Sequence, residues 1–324
     1  MMVSLLFLGL LFGILSKSTL CMNYALQAVH IWINSMMPAL LPFMILSGIM
    51  IRMNLAEKTA GVLSPVFQHL FDCSKAGCYC ILIGFVCGFP MGAKTIADLY
   101  AKSRISEEEG RRLLAFCNNI GPSYLMGFVI PLLGIRHPVL CLLGFYGIPF
   151  LYGIFLCRIS KTFHPKYAGD PCNESNPGKV NAPKQYGKNN TDDFKMTASL
   201  RSFLKATQES VVNSMNAILI LGGYLILFCM LNLIPHWIFG RQILLLGPFF
   251  EITSGLQNLQ GSRPIYSLVM LSFGGLCCLA QTHASLQAGD LTKYFGEYAF
   301  HKSMQAVLTF LYFSLLKQFL PNFI

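Results

Sequence analysis

Apolar residues follow one another in this chain in runs of about twenty, the bilayer-spanning length at a helical rise of about 1.5 Å per residue. The runs lie near 24–51, 76–98, 112–133, 138–157, 209–233, 241–259, 265–288 and 298–319. They are continuous rather than alternating, which predicts helices and argues against a membrane barrel. Residues 2–16 are also apolar and end at Lys17, without the basic start of a signal peptide. A first membrane helix or uncleaved anchor is therefore expected within 1–23. Residues 53–75 are more polar and predict an interfacial helix broken at Pro65.

The stretch 158–205 departs from this pattern: it is rich in Asn, Pro, Gly and Lys, with nine Lys/Arg against four Asp/Glu. A mobile loop on the cytoplasmic side is expected there. It divides the membrane part into halves, 24–157 and 206–324. Short motifs recur in the same order in both. Asn34-Ser35-Met36 is echoed by Asn213-Ser214-Met215, Gly88-Phe89-Pro90 loosely by Gly247-Pro248-Phe249, and Leu114-Ala115-Phe116 by Leu271-Ser272-Phe273. The expected fold is an all-α polytopic integral membrane protein with about eight to nine transmembrane or re-entrant helices in two repeat-like halves. In such constructions a solute site lies where the halves meet.

Composition agrees. The 324 residues are 54% hydrophobic and only 12% charged, with a mean hydropathy of +0.55. A soluble domain carries about a quarter charged residues. The formal charge of +10 is read as the Lys/Arg excess of cytoplasmic connectors such as 99–112, and nucleic acid is not an expected partner. Most of the twelve cysteines, among them Cys87, Cys141, Cys157, Cys229, Cys277 and Cys278, lie in apolar segments as packing residues. Cys78 and Cys80 lack zinc-site spacing, so no metal is expected.

Polar residues inside apolar segments mark the candidate site, since a mid-membrane charge costs about 2.5–3.5 kcal/mol on insertion scales. In GFPMGAKTIAD, Gly88, Pro90 and Gly92 can unwind a helix, while Lys94 and Thr95 add a cation and a hydroxyl. A helix restarting near Ala93 would aim its positive end at the same place, which favours an anion. Alternatively Lys94 pairs with Asp98 one turn away. In FCNNIGPSY, Asn118 and Asn119 precede a break at Gly121-Pro122; their amides can hold a solute or pack helices. Glu251, Thr253, Ser254 and Gln257 occupy the second half, where Glu251 can balance Lys94, bind a coupling proton or sodium ion, or be structural. Gln281, Thr282, His283 and Ser285 follow, with His283 either a proton relay or a packing residue. No HExxH, GxSxG or Walker A motif occurs, so neither an enzyme nor a cofactor is expected. Without an ATP site, transport would be passive or driven by an ion gradient.

GFPMGAKTIADLY, the linker ISEEEGRRLL and FCNNIGPSYL together resemble the nucleoside-recognition, or Gate, domain of bacterial membrane proteins. GPFFEITSGLQNL and LSFGGLCCLAQTHASL bring the likeness closer, to the sporulation integral membrane proteins of endospore formers. It runs from about residue 24 to the C-terminus and is weakest through 158–205. The resemblance implies a multi-pass protein related in design to concentrative nucleoside transporters. It further implies export of dipicolinic acid, a pyridine dicarboxylate, from the mother cell across the outer forespore membrane. It carries the site to Gly88–Thr95, Asn118–Pro122, Glu251–Gly255 and Gln281, with Phe89 or Tyr124 available to face a ring. Leu279 departs from the pattern, which has a histidine there. A nucleoside carrier of the same architecture, and a non-transporting component of spore assembly acting through the basic loop, are the alternatives.

Overall fold

The computed structural model describes residues 2–53, 55, 61, 64–163, 191–320 and 323. The described residues are helical with no strand among them. In the first half, α1 (Met2–Ser16) is followed by α2 (Ser18–Ile31), which passes through a π turn, Trp32–Met36, into α3 (Met37–Arg52). Next come α4 (Ser64–Phe71), α5 (Lys75–Val86), α6 (Met91–Ala101), α7 (Glu107–Leu114) and α8 (Pro122–Leu133). Then α9 (Pro138–Leu142) runs through a further π turn, Leu143–Gly147, into α10 (Ile148–Phe163). The second half has α11 (Thr191–Met230), α12 (Leu233–Phe239), α13 (Gly247–Phe250), α14 (Ile252–Leu259), α15 (Pro264–Phe273), α16 (Gly275–Leu286) and α17 (Phe295–Phe319).

The order is the same on both sides: a long helix, a short one, a pair interrupted within a few residues, a second interrupted pair, and a closing helix. The two long helices carrying Asn-Ser-Met pack on each other. Trp32 lies against Gly222 and donates from Nε1 to the Ile218 carbonyl at 3.0 Å. Arg52, at the end of α3, pairs with Glu209 midway along α11 at 3.1 Å.

Four described helical stretches are long and apolar enough to cross a bilayer: Ser18–Arg52, Pro138–Ile159, Leu200–Phe239 and Pro264–Gly289. Ser64–Phe71 and Lys75–Val86, bent by 94°, make a fifth if taken as one span. Other apolar segments of the sequence are helical but interrupted: 76–98 at Cys87–Pro90, 112–133 at 115–121, and 241–259 at Glu251. Leu151, Phe155, Leu219, Ile220, Phe310 and Leu311 face outward, exposed. Lipid solvates such a surface without penalty; water does not.

One expectation is corrected. The loop over 158–205 is shorter than expected, because α10 continues to Phe163 and α11 begins at Thr191; the remainder, 164–190, lies outside the described residues. Pro65 sits in the first turn of α4, where its missing N–H would have had no intrahelical partner; the helix expected before it falls mostly on 54–63, outside the described residues.

Close backbone approaches hold the interrupted pairs together. A Cβ on Gly84 or Gly92 would overlap the Cys117 carbonyl, and one on Gly88 would come within 2.6 Å of the Gly121 amide nitrogen. In the second half a Cβ on Gly255 would overlap Pro248, and one on Gly275 would stand 2.8 Å from the Pro248 carbonyl oxygen. Each half thus folds its two breaks onto each other. Gly84→Ala is expected to destabilise the protein by about 1–3 kcal/mol or more, read as a lower melting temperature in detergent. Gly127→Ala, with nothing within 4 Å of its added carbon, should leave that temperature unchanged or slightly raised.

Candidate functional site

A helix interrupted at membrane depth frees N–H and C=O groups that lipid cannot satisfy, so such backbone survives only inside protein or along a cavity. Four interruptions meet here at one cavity of about 500 Å³, its mouth included. Gly88 and Phe89 come from the first break, Ile120, Gly121 and Tyr124 from the second, Ile252 and Thr253 from the third, and Gly274 from the fourth. Met36, at the end of the first π turn, lies beside them with Ala39 and Leu40 of α3. Gly88 and Gly274 have φ of 86° and 92°, a left-handed backbone that glycine adopts without a side-chain clash.

The lining is weighted toward helix starts. Phe89 precedes α6, Gly121 caps α8 with Tyr124 in its first turn, Ile252 and Thr253 open α14, and Gly274 caps α16. Helix N-termini carry free N–H groups and partial positive charge. The wall is otherwise mostly apolar. Its polar groups include the Tyr124 hydroxyl, donating to Thr253 Oγ1 at 3.0 Å across the two halves, and Gln281.

Behind the wall lies a buried polar layer. Asn118 donates from Nδ2 to Thr282 Oγ1 at 3.0 Å and Tyr298 Oη at 2.9 Å. Helix α17 turns Tyr298, Lys302, Gln305 and Thr309 to the interior, each at most 2% exposed. Lys302 Nζ donates to the Asn118 carbonyl at 3.1 Å and to Gln305 Oε1 at 3.0 Å. Gln305 Nε2 donates to the Ala115 carbonyl at 2.8 Å, and Thr309 donates to Ser272 Oγ at 2.9 Å. Two carbonyls of the second break, those of Ala115 and Asn118, are therefore satisfied by side chains from the other half, and that of Ile120 by the Tyr146 hydroxyl at 2.9 Å.

Of the residues expected in the site, Gly88, Gly121, Thr253 and Gln281 line the cavity. Pro90, Gly92, Thr95, Asn118, Asn119, Glu251 and Ser254 are buried and do not line it. Asn119 donates to the Phe116 carbonyl at 2.7 Å, while its own oxygen and Thr95 Oγ1 are buried without a partner among the described residues. Glu251 does not balance Lys94: its carboxylate accepts from the Thr253 and Ser254 amides at 2.9 and 2.6 Å and caps α14. Lys94 stands away from the cavity lining, paired with Asp98 at 3.5 Å and about one-third exposed. Its helix face, not the break before it, decides where it points. His283 packs edge-on against Phe295, ring centroids 5.0 Å apart. No cluster of three or more His, Cys, Asp or Glu that could hold a metal ion occurs among the described residues.

Sequence reasoning missed Lys302 and its neighbours because 298–319 reads as an apolar helix. The signal was present: positions 298, 302, 305 and 309 recur at helical spacing on one face. Asn118→Ala is expected to cost about 2–4 kcal/mol, because it strands buried hydroxyls and a backbone amide. Lys94→Ala should change stability by no more than about 0.5 kcal/mol. Thermal unfolding of both variants in one detergent decides between a buried hub and a peripheral ion pair.

Neither a family profile nor a solved structure matches the chain. A stretch of 129 residues, 40% of the chain, is 28% identical to the sporulation integral membrane protein YlbJ of Bacillus subtilis. The match covers 32% of that protein's length, so the chain matches about a third of this relative. Taken with the outward apolar helices, the likeness supports an integral membrane protein, helical among its described residues and similar over part of its length to YlbJ.

Proposed function

We propose that the protein carries a small organic anion across the bacterial cell membrane through the cavity at the four helix breaks, and that it acts in spore formation. The observation that carries this reading is the convergence of interrupted helices from both halves on one cavity. Discontinuous helices arranged in this way form the solute sites of secondary transporters, where unwound backbone takes the place of water around the solute. Helix starts in the lining favour a negatively charged group. Phe89 and Tyr124 offer ring faces to an aromatic one.

Dipicolinic acid combines a flat heterocycle with two carboxylates and fits those features. The likeness to a protein named for sporulation supports the setting, and we place the step at export from the mother cell across the outer forespore membrane. A coupling proton or sodium ion would supply the driving force. The mostly apolar wall favours a neutral heterocycle such as a nucleoside as the second reading.

Purified protein in liposomes, offered labelled dipicolinate and uridine in parallel, tests both. Dipicolinate flux is expected, and Ala39→Trp, which fills the cavity from α3, should reduce it by about tenfold or more. Lys94→Ala should leave it unchanged. Uridine flux alone would transfer the reading to nucleosides. Absence of flux of either from folded protein would point to an assembly role.

A further inference from the structure

Lys302 poses a problem that its hydrogen bonds only partly solve. An ammonium has three N–H groups and prefers an anion when removed from water. At 2% exposure, this one donates to two neutral oxygens, the Asn118 carbonyl and Gln305 Oε1. No carboxylate lies within ion-pair distance among the described residues. The Phe89 ring also faces it, its centroid 4.9 Å from Nζ. A ring face is a weaker partner for a cation than a carboxylate is.

Phe89 also lines the cavity. Its ring is half-buried, follows the left-handed Gly88, and lies 3.4 Å from where a Cβ on Gly274 would be. One aromatic side chain thus stands between a buried cation and a cavity formed at helix starts.

We propose that Lys302 is the anion-binding cation of the cavity and that Phe89 is the shutter over it. A solute carboxylate takes the place of the ring above Nζ and accepts the third N–H, while the Asn118 and Gln305 bonds hold the ammonium in position. The class of ligand is a carboxylate on a flat ring, whose second face the displaced Phe89 can cover. The inference rests on the cavity being the solute site and adds the residue that selects charge.

The test is calorimetric binding to the full chain in detergent, with dipicolinate and its neutral diamide as probes. Lys302→Met should weaken dipicolinate binding by about tenfold or more and leave the diamide nearly unchanged. Lys302→Arg should keep most of the preference for the dianion. Phe89→Ala should tighten dipicolinate severalfold, because no ring need be displaced, with less effect on the diamide. An unchanged preference in folded Lys302→Met overturns the proposal, as does failure of the wild type to bind dipicolinate. If Lys302→Met does not fold, Phe89→Ala decides: a preference that is unchanged or weakened overturns it. Lys302-dependent binding without flux in liposomes would sink the transport reading alone, and flux indifferent to Lys302 would sink this inference alone.

Discussion

The centre of this protein depends on how the carbonyls released at 115–121 find donors where no water reaches them. A helix can end inside a membrane protein only if something replaces the missing intrahelical bonds. Here two of the replacements come from one face of α17. Gln305 takes the Ala115 carbonyl and Lys302 the Asn118 carbonyl, while the Asn118 side chain reaches back to Tyr298 and Thr282. These bonds cross from one half to the other. The contact that makes the break tolerable therefore also joins the halves, and the cavity lies at that joint.

Glycines make the other part of the arrangement possible. Gly84, Gly88 and Gly92 let two strained segments of the first half touch backbone to backbone, and Gly255 and Gly275 do the same in the second. Side chains on those positions would push the breaks apart. Around it, helix starts outnumber other polar features, while Glu251 directs its charge to the start of α14 rather than to a distant lysine. The resulting electrostatic character is positive, with Lys302 behind the wall and Lys94 outside it.

The candidate site was partly legible along the chain. Gly, Pro and Asn inside apolar runs located two of the four breaks that line the cavity, at Gly88–Pro90 and at Gly121-Pro122, because those residues are costly in a membrane helix without a reason. The breaks at Glu251 and Gly274 lie in segments that the sequence tied to the first half only through short motifs. What the motifs did not resolve was which side chain at each break faces the cavity. Asn118 was expected to be available to a solute and is engaged by Tyr298 and Thr282. Lys94 shares its motif with the lining residues Gly88 and Phe89 but lies on another face of α6.

The sequence alone determined that the chain lives in a bilayer, that it is helical, and that its helices are interrupted at particular places. Those properties follow from local quantities: the length of an apolar run, the scarcity of charge, and the helix-breaking chemistry of glycine and proline. The tertiary structure alone decided that the four interruptions share one cavity and that Lys302, not Lys94, is the buried cation beside it. That choice depends on the rotation of each helix about its axis and on contacts between residues 184 positions apart, such as Lys302 and Asn118. No window along the chain contains that information.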